Sequence, residues 1–115
     1  MKITQATAEE YRWGSNCLGW RFVDRAEMSV IRERMPPGTS EVRHHHEKSR
    51  QFFFVLKGRV RIESGGEQVQ LAKDEGLEIP PGVDHQIFND SDEDTEFLLV
   101  SHPSTKGDRI VSGQP

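Results

Sequence analysis

The sequence predicts an all-β fold, an antiparallel sandwich or small barrel, on three observations. Helix-period patterning is almost absent after the first dozen residues, short runs of strand-like composition recur between turn signals, and no crossover helix separates them. Composition agrees with this. Hydrophobic residues make up 33% and charged residues 30% of the 115-residue chain, and the mean hydropathy is −0.72, so apolar side chains must be used economically, as in a thin-walled barrel. The length fits one domain, residues 1–115.

The elements follow in chain order. ATAEEY, near the start, fits either a short helical turn or an extended arm. Residues 28–35, MSVIRERM, mix β-branched and charged positions as a half-buried strand does, and Pro36-Pro37-Gly38 stops them. Residues 41–46 form the next strand, followed by a polar connection, Glu47-Lys48-Ser49-Arg50. Residues 51–64 read as one long strand with a bulge or close backbone approach at Gly58. Its first half, residues 52–56, is apolar at consecutive positions, as in a strand covered on both faces; its second half alternates. Gly65-Gly66 signals a hairpin into residues 68–71. Residues 76–79, 85–89 and 95–101 complete the set, the last two joined by Asp90-Ser91-Asp92-Glu93-Asp94, a solvated hairpin loop. That loop begins like a calcium loop but lacks glycine at its sixth position and glutamate at its twelfth, Ser101.

The histidines carry the chemistry. On a strand, residues two apart share a face with Cα atoms ~6.5 to 7 Å apart, so His44 and His46 can aim at one ion while His45 points away. Gln51 enters the next strand near them, with Phe53 and Val55 on its own side. His85 follows the rigid turn Pro80-Pro81-Gly82-Val83-Asp84, which fixes its approach. Three imidazoles and one amide thus become candidate metal ligands. His45 and His102 read as surface or supporting residues, Asn89 as a residue that satisfies a turn backbone, and Cys17 as a small buried hydrophobe. Phe52 and Phe54 read as core or dimer contacts. Arg32, Arg43, Arg59 and Arg61 are candidates to clamp a carboxylate if one points inward.

These residues resemble the two signature motifs of the cupin superfamily. The first, G-x5-H-x-H-x4-E-x6-G, is filled by Gly38, His44, His46, a substituted Gln51 and Gly58. The second, G-x5-P-x-G-x2-H-x3-N, is filled by Pro80, Gly82, His85 and Asn89, with Asp74 in place of its leading glycine and Gly76 displaced by two. The resemblance spans residues 38–89. It implies a single antiparallel jelly-roll barrel with a short N-terminal arm, and a divalent transition metal ion (iron, manganese, zinc or nickel) held by His44, His46, His85 and Gln51. Glutamate is usual at the position of Gln51; a neutral amide there leaves the ion's charge uncompensated, which either weakens the metal or makes it draw an anionic substrate. It further implies a small-molecule substrate, a homodimer, and either metal-dependent chemistry of dioxygenase, isomerase or decarboxylase type or a non-catalytic sensing role. A metal-free epimerase-like reading needs a His-Asp or tyrosine pair in the pocket, and the sole tyrosine, Tyr11, lies in the arm.

Charge and composition narrow the partners. A net charge of −4 and a pI near 5.7 give no field for a phosphate backbone, so nucleic acid is not expected. No segment reaches the ~20 apolar residues of a membrane helix. The absence of an apolar leader in MKITQATAEEY and the single cysteine predict a cytoplasmic protein.

Overall fold

Period-2 alternation along the strands gives each an inward and an outward row of side chains, and two sheets close over the inward rows. A computed structural model describes residues 1–113, and all regular elements among them are β-strands. They number in chain order β1 (Glu9–Trp13), β2 (Cys17–Asp24), β3 (Ser29–Met35), β4 (His44–His45), β5 (Arg50–Lys57), β6 (Arg59–Ser64), β7 (Glu67–Ala72), β8 (Gly76–Ile79), β9 (His85–Phe88), β10 (Thr95–His102) and β11 (Ile110–Val111). One sheet runs β1-β2-β3-β10-β5-β8; the other runs β11-β4-β9-β6-β7. All pairings are antiparallel. This is the expected all-β jelly-roll barrel.

The core lies between the sheets. Met35, Val55, Ile62 and Phe97 are completely buried and Ile87 nearly so. Burial of such side chains is worth ~1.5–3 kcal/mol each, which makes this layer the main source of stability.

Three connections differ from the sequence reading, for a common reason: strands adjacent in sequence turn out to belong to opposite sheets. Gly58 is the corner where the chain leaves β5 for β6, with φ of +73°, and a Cβ there would meet Asp94 O at 3.0 Å. Residues 51–64 are therefore two strands in different sheets rather than one bulged strand. Residues 47–49 likewise cross between sheets, and their three amides donate to the Asp108 carboxylate at 2.8 to 3.0 Å. The acidic stretch after β9 is a third corner and not a hairpin. Asn89 holds it, its Nδ2 donating to Met35 O and Glu93 O, both at 2.8 Å, and its Oδ1 accepting from Ser91. The backbone role expected of Asn89 is thereby borne out. The strand predicted over 41–46 narrows to β4, which pairs with β9 and β11.

Two further differences come from irregular patterning. The N-terminal arm is a turn followed by β1, which pairs with the unforeseen strand β2. A register shift between Arg21 and Val23 breaks the alternation that would have revealed β2. The apolar run 52–56 is covered on one face only: Phe53 and Val55 are buried, while Phe52 is 42% exposed and stacks on Phe54, with ring centroids 6.2 Å apart.

Candidate metal centre

Local structure places three imidazoles side by side. His44 on β4 and His85 on β9 are direct cross-strand partners, and His46 lies just beyond β4 with its side chain on the same face as that of His44. The ring centroids are 4.5 Å apart for His44 and His85, 4.9 Å for His44 and His46, and 5.6 Å for His46 and His85. One ring nitrogen from each lies within 4.8 Å of the others. Gln51 reaches the same place from β5 in the opposite sheet, and it is as buried as the histidines. Three of the predicted ligand positions, His44, His46 and His85, are thus brought together inside the barrel, and Gln51 lines the same cavity as His44 and His46.

Hydrogen bonds decide which nitrogens face inward. Nδ1 of His44 donates to Val42 O at 2.7 Å, Nδ1 of His85 to Val83 O at 2.9 Å, and Nδ1 of His46 to Asp108 O. Because a carbonyl only accepts, each Nδ1 carries the proton and each Nε2 presents a lone pair. Gln51 Nε2 donates to Ser101 Oγ at 3.0 Å, leaving its Oε1 directed elsewhere. Nε2 of His46, Nε2 of His85 and Oε1 of Gln51 are buried with no partner. Orphaned buried acceptors cost roughly 1–3 kcal/mol each, and a cation satisfies them together. The residues therefore fit a borderline divalent ion, for which imidazole is the preferred ligand.

Electrostatics prepares the histidines for this task. Burial drives the pKa of His44 down to about 3, with further lowering from His85. His46 and His85 shift in the same direction, again chiefly through burial. All three are neutral ligands at neutral pH.

The cavity in front of the site has a volume of about 580 Å³ and is lined by His44, His46 and Gln51 together with Tyr11, Glu33 and Glu41. His85, the cross-strand partner of His44, is 1% exposed. Tyr11 and the two glutamates were not foreseen as site residues. Tyr11 belongs to β1, and the structure brings it from the arm into the cavity wall. The signal for Glu33 was present in its parity: on β3 it shares the inward side with Ile31 and Met35, where a carboxylate is out of place. Burial pushes its pKa up to about 7. Glu41 is pushed up to about 8, by burial and by Glu33, and its Oε1 has no partner.

The arginine expectation fails. Arg32 pairs with Glu96 at 2.8 Å, Arg43 with Glu63, and Arg61 with Asp90 at 2.7 Å; Arg59 is exposed. The outward parity of alternating strands puts them on the barrel exterior. The cations that line the cavity are Arg21, Lys106 and Arg109. His45 faces Asp84 at 3.0 Å, and His102 bonds Glu27 O at 2.7 Å, both away from the cavity as expected. Cys17 is completely buried.

Comparison with known proteins places this site in context. The sequence matches the family described as Cupin domain over residues 31–101, a span containing all four convergent residues. It is 33% identical over 69 residues to Polyketide synthase CurC of Streptomyces cyaneus, covering 60% of this chain and 45% of that protein. It is 30% identical over 69 residues to the Oxalate-binding protein of Thermotoga maritima, covering 60% of this chain and 57% of that one. The chain thus spans about half the length of these curated relatives. The crystal structure of a predicted oxalate decarboxylase from Thermotoga maritima superposes with a TM-score of 0.83 over 90% of this chain and 100% of that one, at 20% identity. That likeness shows the fold.

Proposed function

The chain belongs to the cupin family, and from that premise we propose that it binds one divalent metal ion through His44, His46, His85 and Gln51 and acts there on a small organic acid. The observation that carries the reading is the neutrality of the four convergent donors. Three uncharged imidazoles and an amide leave an ion's double charge uncompensated, so an anionic ligand is needed to neutralise the site. Arg109 and Lys106, exposed at the cavity, add attraction for the same ligand. A relative named for oxalate binding supports this substrate class.

The ion, iron, manganese, zinc or nickel, supplies Lewis acidity and, for iron or manganese, redox chemistry. The chain's own residues do the rest. Val42, Val83 and Asp108 hold the imidazoles in the tautomer that points Nε2 inward, Ser101 orients Gln51, and the apolar wall of Ile31 and Leu99 limits water. Oxalate serves as the probe. Calorimetric titration of metal-loaded protein is expected to give saturable binding that disappears after chelation; no binding to loaded protein overturns the organic-acid reading. Oxygen uptake on the same sample marks an oxygenase, carbon dioxide release without uptake marks a decarboxylase, and binding of oxalate with neither fits a binding or sensing module.

We further assign a cytoplasmic homodimer. No helix among the described residues is long and apolar enough to cross a membrane, and the single cysteine, buried, fits a reducing compartment. Exposed Phe52, stacked on half-buried Phe54, lies on the outer face of the six-stranded sheet, a surface suited to a second copy. Sedimentation analysis is expected to show a dimer that Phe52→Glu converts to a folded monomer; a monomeric wild type defeats this assignment.

A further inference from the structure

One hydrogen bond in the cavity wall is not explained by metal binding. Tyr11 on β1 is opposite Gly19 on β2, where a Cβ would come within 2.2 Å of Tyr11 Cζ. Only glycine lets the ring lie across β2. The hydroxyl thereby reaches β3 and donates to Glu33 Oε2 at 2.6 Å. Arg21 covers the ring, its guanidinium carbon 4.0 Å from the centroid. Glu33 is 8% exposed, and among the described residues no cation lies within salt-bridge distance of it. A buried carboxyl without an ion-pair partner is an expensive way to anchor a tyrosine, since an amide would accept the same hydrogen bond without the desolvation of a charge. Tyr11 and Glu33 line the same cavity as His44, His46 and Gln51.

We propose that Tyr11 and Glu33 are the proton-exchanging pair of this cavity, passing a proton between the Glu33 carboxyl and the small molecule held against the histidines. In the donating direction the protonated Glu33 turns the hydrogen bond round and donates to Tyr11 Oη, which frees the Tyr11 proton; the Glu33 acid proton then moves to Tyr11 Oη as the Tyr11 proton moves to an oxygen of the ligand. Glu33 ends as the carboxylate, Tyr11 ends neutral, and the ligand has gained one proton; the reverse movement removes one. The class of ligand rests on the organic-acid reading above, whereas the titrating pair does not.

The groups facing Glu33 set its affinity for the proton. Burial raises it most, the Tyr11 hydrogen bond and Arg21 lower it, and the balance brings the carboxyl to about 7. Across the cavity Glu41 carries a second raised carboxyl, with Arg109 nearby. The β10 residue paired with Glu33 is Phe97, which is not ionisable. Tyr11 itself is held well above the ordinary range by burial and by Glu33, so it transmits a proton without becoming an anion.

Tyr11 is the only tyrosine in the chain, which makes the pair observable in isolation. Protein labelled with carbon-13 at the tyrosine ζ position gives one resonance, to be followed from pH 5 to pH 9 in metal-free and in zinc-loaded full-length chain. The expected result is a principal step near pH 7 without metal, distinct from any smaller one that Glu41 contributes near pH 8, and moved lower by about one pH unit when zinc places positive charge in the cavity. Glu33→Gln should abolish the step. Arg21→Gln should move it upward, since Arg21 lowers the Glu33 pKa. A flat resonance in the metal-free wild type, a step that survives Glu33→Gln, or a midpoint unmoved in protein shown to carry one zinc per chain overturns the proposal. If zinc does not bind, the metal reading fails, and the metal-free titration with its two variants still decides the pair.

Discussion

Protein carrying His85→Ala retains less than a tenth of the metal bound by the wild type after identical purification without chelator. The expectation follows from burial and geometry together. His85 is 1% exposed, its Nδ1 is tied to Val83 O, and its Nε2 has no partner among the described residues. Alanine removes one of the three clustered imidazoles. Loss of supporting hydrogen bonds around a metal ligand already costs roughly 10- to 100-fold in affinity, so loss of the ligand itself costs at least that. His45→Ala is the control: its side chain faces Asp84 outside the cavity and metal content should be unchanged. Elemental analysis of the purified proteins provides the measurement, and equal metal in His85→Ala and wild type sinks the site.

The same histidines fix the sign of a pH effect. Their folded pKa values lie below the unfolded value near 6.5, chiefly because burial disfavours the imidazolium. Below that pH the unfolded chain takes up protons that the folded chain refuses, so these three residues withdraw stability from the metal-free protein as pH falls. For the same reason protons compete less well for the ligand nitrogens than for a free imidazole, and metal retention measured as pH falls should be lost at lower pH than for a site of exposed histidines.

The legible part of this molecule was that governed by local periodicity and turn chemistry. Parity alone placed Gln51, Phe53 and Val55 on one inward row, and the proline turn ahead of His85 marked the start of β9. Spacing placed His44 and His46 on one face. What stayed hidden depended on contacts far apart in sequence. Nothing near Gly58 says that the next strand joins the opposite sheet; its positive φ has the same sequence signature as a bulge. Tyr11 sits on a polar edge strand whose partner contains a register shift, so its route past Gly19 to Glu33 emerges only when three strands are aligned. Asp108 binds three amides of residues 47–49 from some 60 positions away, and no local pattern announces it.

Gln51→Glu should tighten metal binding by roughly 10- to 100-fold and weaken oxalate binding by at least tenfold. The substitution is nearly isosteric, and the Ser101 hydroxyl that now accepts from Gln51 Nε2 can rotate to donate to a carboxylate oxygen, so the fold has little reason to change. What changes is charge. A carboxylate oxygen in place of the unpartnered amide Oε1 adds one negative charge beside the ion, and at an effective dielectric near 20 a unit charge ~4 Å away is worth about 4 kcal/mol before desolvation takes back part of it. The metal gains that attraction. An anionic ligand loses it, because the centre it approaches carries one positive charge fewer. Opposite movement of the two affinities is therefore the signature of Gln51 standing next to the ion. Parallel movement, or none in either titration, means that the amide oxygen points elsewhere and that the neutrality of the donor set is not what selects the ligand.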